Sequence, residues 1–168
     1  MQILTTARLT LRHQLPTDID FLINLWSDPS ITQYTGGPRD VKFLRNIFQE
    51  IAQNPEAEEF DLWPLVLNAD NTLVGYAGLL PKEIDGETYV EVNYFIDSNR
   101  QGKGYAVEIG RKLVEYGFND KDQTSLIAVI DPNNKASIRV AEKIGMTFWK
   151  NENRSGQVKA IYRIDRPT

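Results

Sequence analysis

The sequence predicts one α/β domain, residues 1–168, built on a mixed sheet. Three observations carry that expectation. Strand-like and helix-like segments alternate in the order β-α-α-β-β-β-α-β-α-β-β. The central strand segments are joined by the short turn signals "ADN" and "DGE", which mark an antiparallel meander. Beyond it, a long helix pattern leads into "SLIAVID", a continuous apolar run of the kind that forms a fully buried strand. A chain of 168 residues is long enough to bury a sizeable core, and it contains no repeat, low-complexity tract or linker.

Each element has a local reason. "RLTLRH" (Arg8–His13) alternates like a half-buried strand. Thr17 or Asp18 can cap a helix carrying Phe21, Leu22, Leu25 and Trp26, which stops before Pro29. "GGPRDVKFLRNIFQEIAQNP" follows as a second helix. Its positions Phe43, Leu44, Ile47, Phe48 and Ile51 have helical spacing, and Pro55 ends it. "DLWPLVLN" is a strand whose Pro64 argues for an edge or bulged position. "TLVGYAGLLPKE" and "TYVEVNYFID" (Thr88–Asp97) complete the meander. A helix is expected from about Lys103 to Phe118, with Ala106, Gly110, Leu113, Val114 and Gly117 on one face. The small residues among them would let it lie close to a sheet. "NNKASIRVAEKIG" is a shorter helix stopped by Gly145, and "TFWKN" and "QVKAIYRID" close the sheet.

Composition excludes several classes of function. There is no cysteine, so disulfides, thiol catalysis and Cys-based metal sites are ruled out. His13 is the single histidine, which removes a multi-histidine metal site and disfavours a Ser-His-Asp triad. No metal site is expected. The net charge of −4 gives no global basic footprint for nucleic acid. No run approaches the ~18 apolar residues of a membrane span and the N-terminus does not read as a signal peptide, so a cytoplasmic protein without membrane contact is expected.

The stretch "NRQGKGYAVEIG" (Asn99–Gly110) carries the first chemical signal. Glycines before a helix turn the chain tightly and aim several N–H groups one way, and the helix N-terminus adds partial positive charge, which suits a phosphate. A P-loop needs Ser or Thr after its lysine, but Gly104 follows Lys103. A dinucleotide fingerprint needs Gly or Ala where Val107 stands. On the loop alone, a strand–helix turn using glycine only for geometry remains open.

Together, the strand Thr88–Asp97, "RQGKGYA" and "NNKASIRVAEKIGM" resemble the GNAT superfamily of N-acetyltransferases. The nearest look is the branch that acetylates the N-termini of ribosomal proteins. The resemblance runs from "RLTLR" to the end of the chain. It departs from the family at Asn99, where Gln or Arg commonly opens the loop, and at Met146, where Phe is frequent.

The resemblance implies a GNAT-like domain whose mostly antiparallel sheet splays at the cofactor strand, with acetyl-coenzyme A as donor. The pyrophosphate would sit on the amides of Gln101, Gly102, Lys103, Gly104, Tyr105 and Ala106. Backbone groups of Tyr94, Phe95 and Ile96 would bind pantetheine like an added strand, and Asn134 would both cap its helix and meet the coenzyme. Many relatives carry a tyrosine acid seven residues after that Asn, and Ala141 stands there here. Ser137 is the next candidate acid and Glu91 the candidate base. The plain alternatives are a packing serine and an exposed strand glutamate. Tyr94 and Tyr105 read mainly as packing side chains. Trp26, Tyr34 and "TGG" (Thr35–Gly37) fall where the family builds its acceptor pocket, which makes "ITQYTGGPRD" a mobile lip. The implied activity is N-acetylation of a small-molecule or peptide amine, with a homodimer left open. A coenzyme-A-binding module with little catalysis is the alternative.

Overall fold

Eight strands form one sheet in the order β1-β2-β3-β4-β5-β6-β8-β7, described for residues 1–168 by a computed structural model. The strands are β1 (Gln2–Thr5), β2 (Leu9–Arg12), β3 (Leu62–Leu67), β4 (Leu73–Ile84), β5 (Glu87–Ile96), β6 (Ser125–Ile130), β7 (Thr147–Arg154) and β8 (Gln157–Asp165). The helices are α1 (Ile19–Ser27), α2 (Pro29–Thr32), α3 (Val41–Gln53), α4 (Tyr105–Asn119) and α5 (Lys135–Lys143). All neighbouring strands are antiparallel except β5 and β6, which run parallel.

The expected element order is present, with two additions. β1 pairs with β2, an N-terminal strand that the short segment "QILT" signals too weakly to predict. α2 is a single turn nucleated by the Asp28 carboxylate, which accepts the Ser30 N–H, with Pro29 at its first position. Pro64 corrects the edge expectation, because β3 lies between β2 and β4. Pairing with β2 ends at Leu65, however, and the β3–β4 register shifts between Leu65 and Val66. A proline is therefore tolerated beside a bulge within an interior strand. α4 begins at Tyr105 rather than Lys103, because Gly102 (φ 78°) and Gly104 (φ 80°) hold the left-handed conformation before it.

α4 and α5 cover one face of the sheet and α1 and α3 the other. Ile109, Leu113, Val114 and Phe118 of α4 enter the larger core with Leu79, Val92, Leu126 and Met146. A Cβ on Gly117 would lie 2.8 Å from Leu126 Cδ1, so the absence of a side chain sets how closely α4 meets β6. On the other face Leu22, Leu25, Leu44 and Phe48 close around Tyr76. Both faces are anchored by fully buried aliphatic side chains, each worth about 1.5–3 kcal/mol relative to exposure. That rigidity matters at one place. β5 and β6 share the single registered pair Glu91–Ile127. β5 then continues to Ile96 on β4 alone, while β6 continues to Ile130 on β8.

Candidate active site

The parting of β5 and β6 opens a cleft of about 660 Å³. Its walls are β5 from Glu91 to Ile96, β6 from Ala128 to Ile130, the glycine loop, the first turn of α4 and the start of α5. Tyr34 and Thr35 close one end. Of the residues singled out from the sequence, Glu91, Tyr94, Phe95, Ile96, Gln101, Gly102, Gly104, Tyr105, Ala106, Asn134 and Ser137 all line it. Lys103 does not. It is exposed, and its carbonyl accepts a 2.9 Å bond from Arg8 Nη1. The cation that does line the cleft at the loop is Arg100. It adjoins the glycine motif in sequence, but only the short 3₁₀ turn Ser98–Arg100 turns it inward.

Glu91 sits at the point where the strands separate. It is 7% exposed, which replaces the picture of an exposed strand glutamate. Its Oε1 accepts the Val129 N–H at 3.3 Å, and its Oε2 lies 3.5 Å from Lys82 Nζ. The β6 amide thus ends on a carboxylate rather than on the β5 backbone. Burial raises the Glu91 carboxyl above the usual range, while the Lys82 ammonium and then the Val129 N–H pull against that rise.

The glycine loop is held from outside. Arg8 bonds the Lys103 carbonyl, pairs with Glu108 of α4 at 2.6 Å and stacks 4.8 Å from the Tyr105 ring centroid. Gln101 Nε2 donates to the Ile96 carbonyl at 3.1 Å, tying the loop to the end of β5. No atom lies within 4 Å of where a Gly102 Cβ would stand, so open space lies beside this turn at the start of a 15-residue helix. This fits the pyrophosphate of coenzyme A.

On the opposite wall the Asn134 side chain caps α5 by accepting the Ser137 N–H at 3.2 Å. The Ser137 hydroxyl is half-buried and lies 3.0 Å from the Tyr94 hydroxyl. Tyr94 also reaches the Ser137 carbonyl at 3.2 Å. This hydroxyl pair was not legible in the sequence, where Tyr94 reads as packing. Strand alternation places Tyr94 toward the helix side with Val92, but nothing local identifies residue 137 as its partner. Burial lifts the Tyr94 hydroxyl to about 12, so it keeps its proton at any working pH.

At the other end Tyr34 and Thr35 line the cleft, as do Gln33 and Ile31. Trp26 lies behind them, its ring 4.6 Å from Phe95, and supports the wall rather than forming it. Gly36 and Gly37 turn the chain at φ 99° and 80° outside the lining. His13 is buried far along the chain from this cleft, 3.6 Å from Glu56.

The mixed α/β sheet thus parts beside a glycine turn at a helix N-terminus, with a buried carboxylate at the fork and hydroxyls on the wall. The chain belongs to the acetyltransferase (GNAT) domain family, which it matches over residues 8–147. It is therefore an acyltransferase that uses acetyl-coenzyme A. It is 34% identical over 160 residues to YkkB of Bacillus subtilis, covering 95% of this chain and 93% of the relative. A solved GNAT acetyltransferase from Bacillus anthracis superposes with a TM-score of 0.81 at 26% identity, covering 98% of each chain. The fold is also that of a putative ribosomal-protein-serine acetyltransferase from Vibrio cholerae, with a TM-score of 0.76 at 21% identity over 99% of this chain and 98% of that one. No helix is long and apolar enough to cross a membrane.

Proposed function

We propose that this enzyme acetylates a primary amine by direct attack on the thioester, with Glu91 as base and Ser137 as acid. The observation that carries this is the meeting, in one cleft, of a buried carboxylate at the strand fork and a hydroxyl pair on α5 and β5. An ammonium with a pKa near ~10 must lose a proton before it can attack. Glu91 takes that proton, directly or through water, and its raised affinity for protons suits the task. Backbone groups of Tyr94, Phe95 and Ile96 have no partner strand on the β6 side and hold the pantetheine arm. Ser137 gives a proton to the departing sulfur. The test is thiol release from acetyl-coenzyme A over a panel of amines. Release only in the presence of an amine supports transfer, whereas tight coenzyme A binding with no amine-dependent release identifies a binding module.

The loop assignment predicts that Gly104→Val weakens coenzyme A binding about thirtyfold, or ~2 kcal/mol, because a β-branched residue resists φ 80° and reshapes the cradle. Isothermal titration of the folded variant checks this, and unchanged affinity would sink the assignment. Arg8 Nη2 would stand 3.4 Å from the new Cβ, so crowding adds little to the strain.

The ion pair with Lys82 predicts a pH signature. Removing that cation takes away the largest opposition to burial, leaving the Val129 N–H and the Asn93 side chain, and raises the Glu91 carboxyl further. The base is then protonated over more of the neutral range. Lys82→Met should therefore move the acid limb of the kcat/KM profile to higher pH, and Lys82→Arg should leave it in place. A limb that stays put in Lys82→Met separates the limb from Glu91.

A further inference from the structure

We infer that Arg8, on the turn between β1 and β2, is a positioning residue for the donor, fixing the glycine loop in the conformation that receives the pyrophosphate. The inference deepens the reading of that loop as the pyrophosphate cradle and rests on it. The need for such a hold is local. Gly102 and Gly104 stand at φ 78° and 80°, and glycine loses more freedom on ordering than any other residue. None of the N–H groups from Gln101 to Val107 donates to another backbone group. A loop held by so little of its own backbone must otherwise be ordered by the ligand, at a cost in affinity.

Arg8 supplies that hold from outside the cleft. Its Nη1 donates to the Lys103 carbonyl at 2.9 Å, while its Nε and Nη2 meet Glu108 Oε2 at 2.7 and 2.6 Å. Lys103 stands between the two glycines and Glu108 lies in the first turn of α4, so one guanidinium grips both the loop and the helix that follows it. The peptide geometry gives the grip a direction. In a trans peptide the carbonyl and the next N–H point opposite ways, and the chain has no cis bond. With the Lys103 carbonyl turned to Arg8, the Gly104 N–H is turned away from it. Gly104 lines the cleft and Arg8 does not. The turn that carries Arg8 is itself tied down. Glu108 Oε1 accepts the Thr6 hydroxyl at 2.7 Å and the Arg8 N–H at 2.9 Å. Asn68 Nδ2, from the turn between β3 and β4, donates to the Thr6 and Ala7 carbonyls at 2.9 and 3.3 Å. The Arg8 side chain is 48% exposed, so the ion pair adds little to overall stability and acts on the geometry of the loop.

The test is isothermal titration with coenzyme A and with pantetheine, which lacks the pyrophosphate. The wild-type enzyme should bind coenzyme A at least about tenfold more tightly than pantetheine. Arg8→Met keeps an apolar stem over Tyr105, and it should weaken coenzyme A about tenfold while leaving pantetheine within about twofold. Arg8→Lys keeps the charge but cannot span the carbonyl and the carboxylate at once, so it should lose about threefold. Glu108→Gln separates positioning from simple attraction. Were Arg8 only a nearby positive charge, removing the negative charge beside it would tighten coenzyme A. The clamp predicts a loss of about threefold instead, with no further loss when Glu108→Gln is added to Arg8→Met. Tighter binding in Glu108→Gln, equal losses for both ligands in Arg8→Met, or unchanged coenzyme A affinity in folded Arg8→Met overturns the inference while the loop reading stands. A wild-type enzyme that binds pantetheine as tightly as coenzyme A overturns the loop reading and the inference with it.

Discussion

Glu91→Gln is expected to lower kcat by about 10²–10³-fold at neutral pH, with donor affinity nearly unchanged. The amide has the size of the carboxylate and still offers an oxygen to the Val129 N–H, so the strand fork keeps its shape. What it cannot do is take a proton. The sign of the pH effect follows from the acceptor. At neutral pH nearly all of an amine with pKa near ~10 is protonated, so the base matters most there. As pH rises toward that value, free amine appears without help and part of the loss should be recovered. The wild-type enzyme should also show an acid limb above the usual carboxylate range, since burial raises Glu91, and the variant should lose it. Glu91→Ala is a different experiment. It strands the Val129 N–H and leaves Lys82 without its partner, so donor binding should suffer as well. Raised KM with unchanged kcat in Glu91→Gln would show that the residue only attracts the cation.

The sequence made most of the framework legible because the relevant signals are local. Hydrophobic period, turn residues and the two left-handed glycines of "RQGKGYA" act within a few residues of where they stand. Asn134 was readable as a cap for the same reason, and the Ser137 N–H bond bears that out. Two features were not legible because they depend on distant partners. The burial of Glu91 follows from β6 and Lys82 arriving around it, and an isolated Glu on an alternating strand looks solvated. The Tyr94–Ser137 hydroxyl contact joins residues 43 positions apart. Arg100 was not singled out although it lines the cleft, because it precedes the glycine motif, while Lys103 stays exposed between the two left-handed glycines. β1 was missed because a four-residue strand carries too little pattern, and its stability comes from pairing with β2.

Ser137→Ala is expected to lower turnover by about 10²-fold while the dissociation constant of acetyl-coenzyme A changes little. The effect should fall at the low end of the range for general acids. A thiol with a pKa near ~8.5 is already a fair leaving group, so less depends on its protonation than in amide cleavage. The variant should fold normally, because the α5 cap uses the residue 137 N–H, which alanine retains. Tyr94 keeps its 3.2 Å bond to the residue 137 carbonyl and loses only the hydroxyl partner. Single-turnover thiol release and donor titration separate the two effects. Raising the pH should narrow the gap between variant and wild type, since a thiolate that no longer needs a proton leaves without the acid. The opposite variant, Tyr94→Phe, removes the neighbour and keeps Ser137. If the acid is Ser137, Tyr94→Phe should cost turnover only the few-fold expected from losing a hydrogen-bond partner. A large loss in Tyr94→Phe with normal turnover in Ser137→Ala would move the acid role to the strand tyrosine. Normal turnover in both would leave the pair as packing and place the leaving-group proton with water.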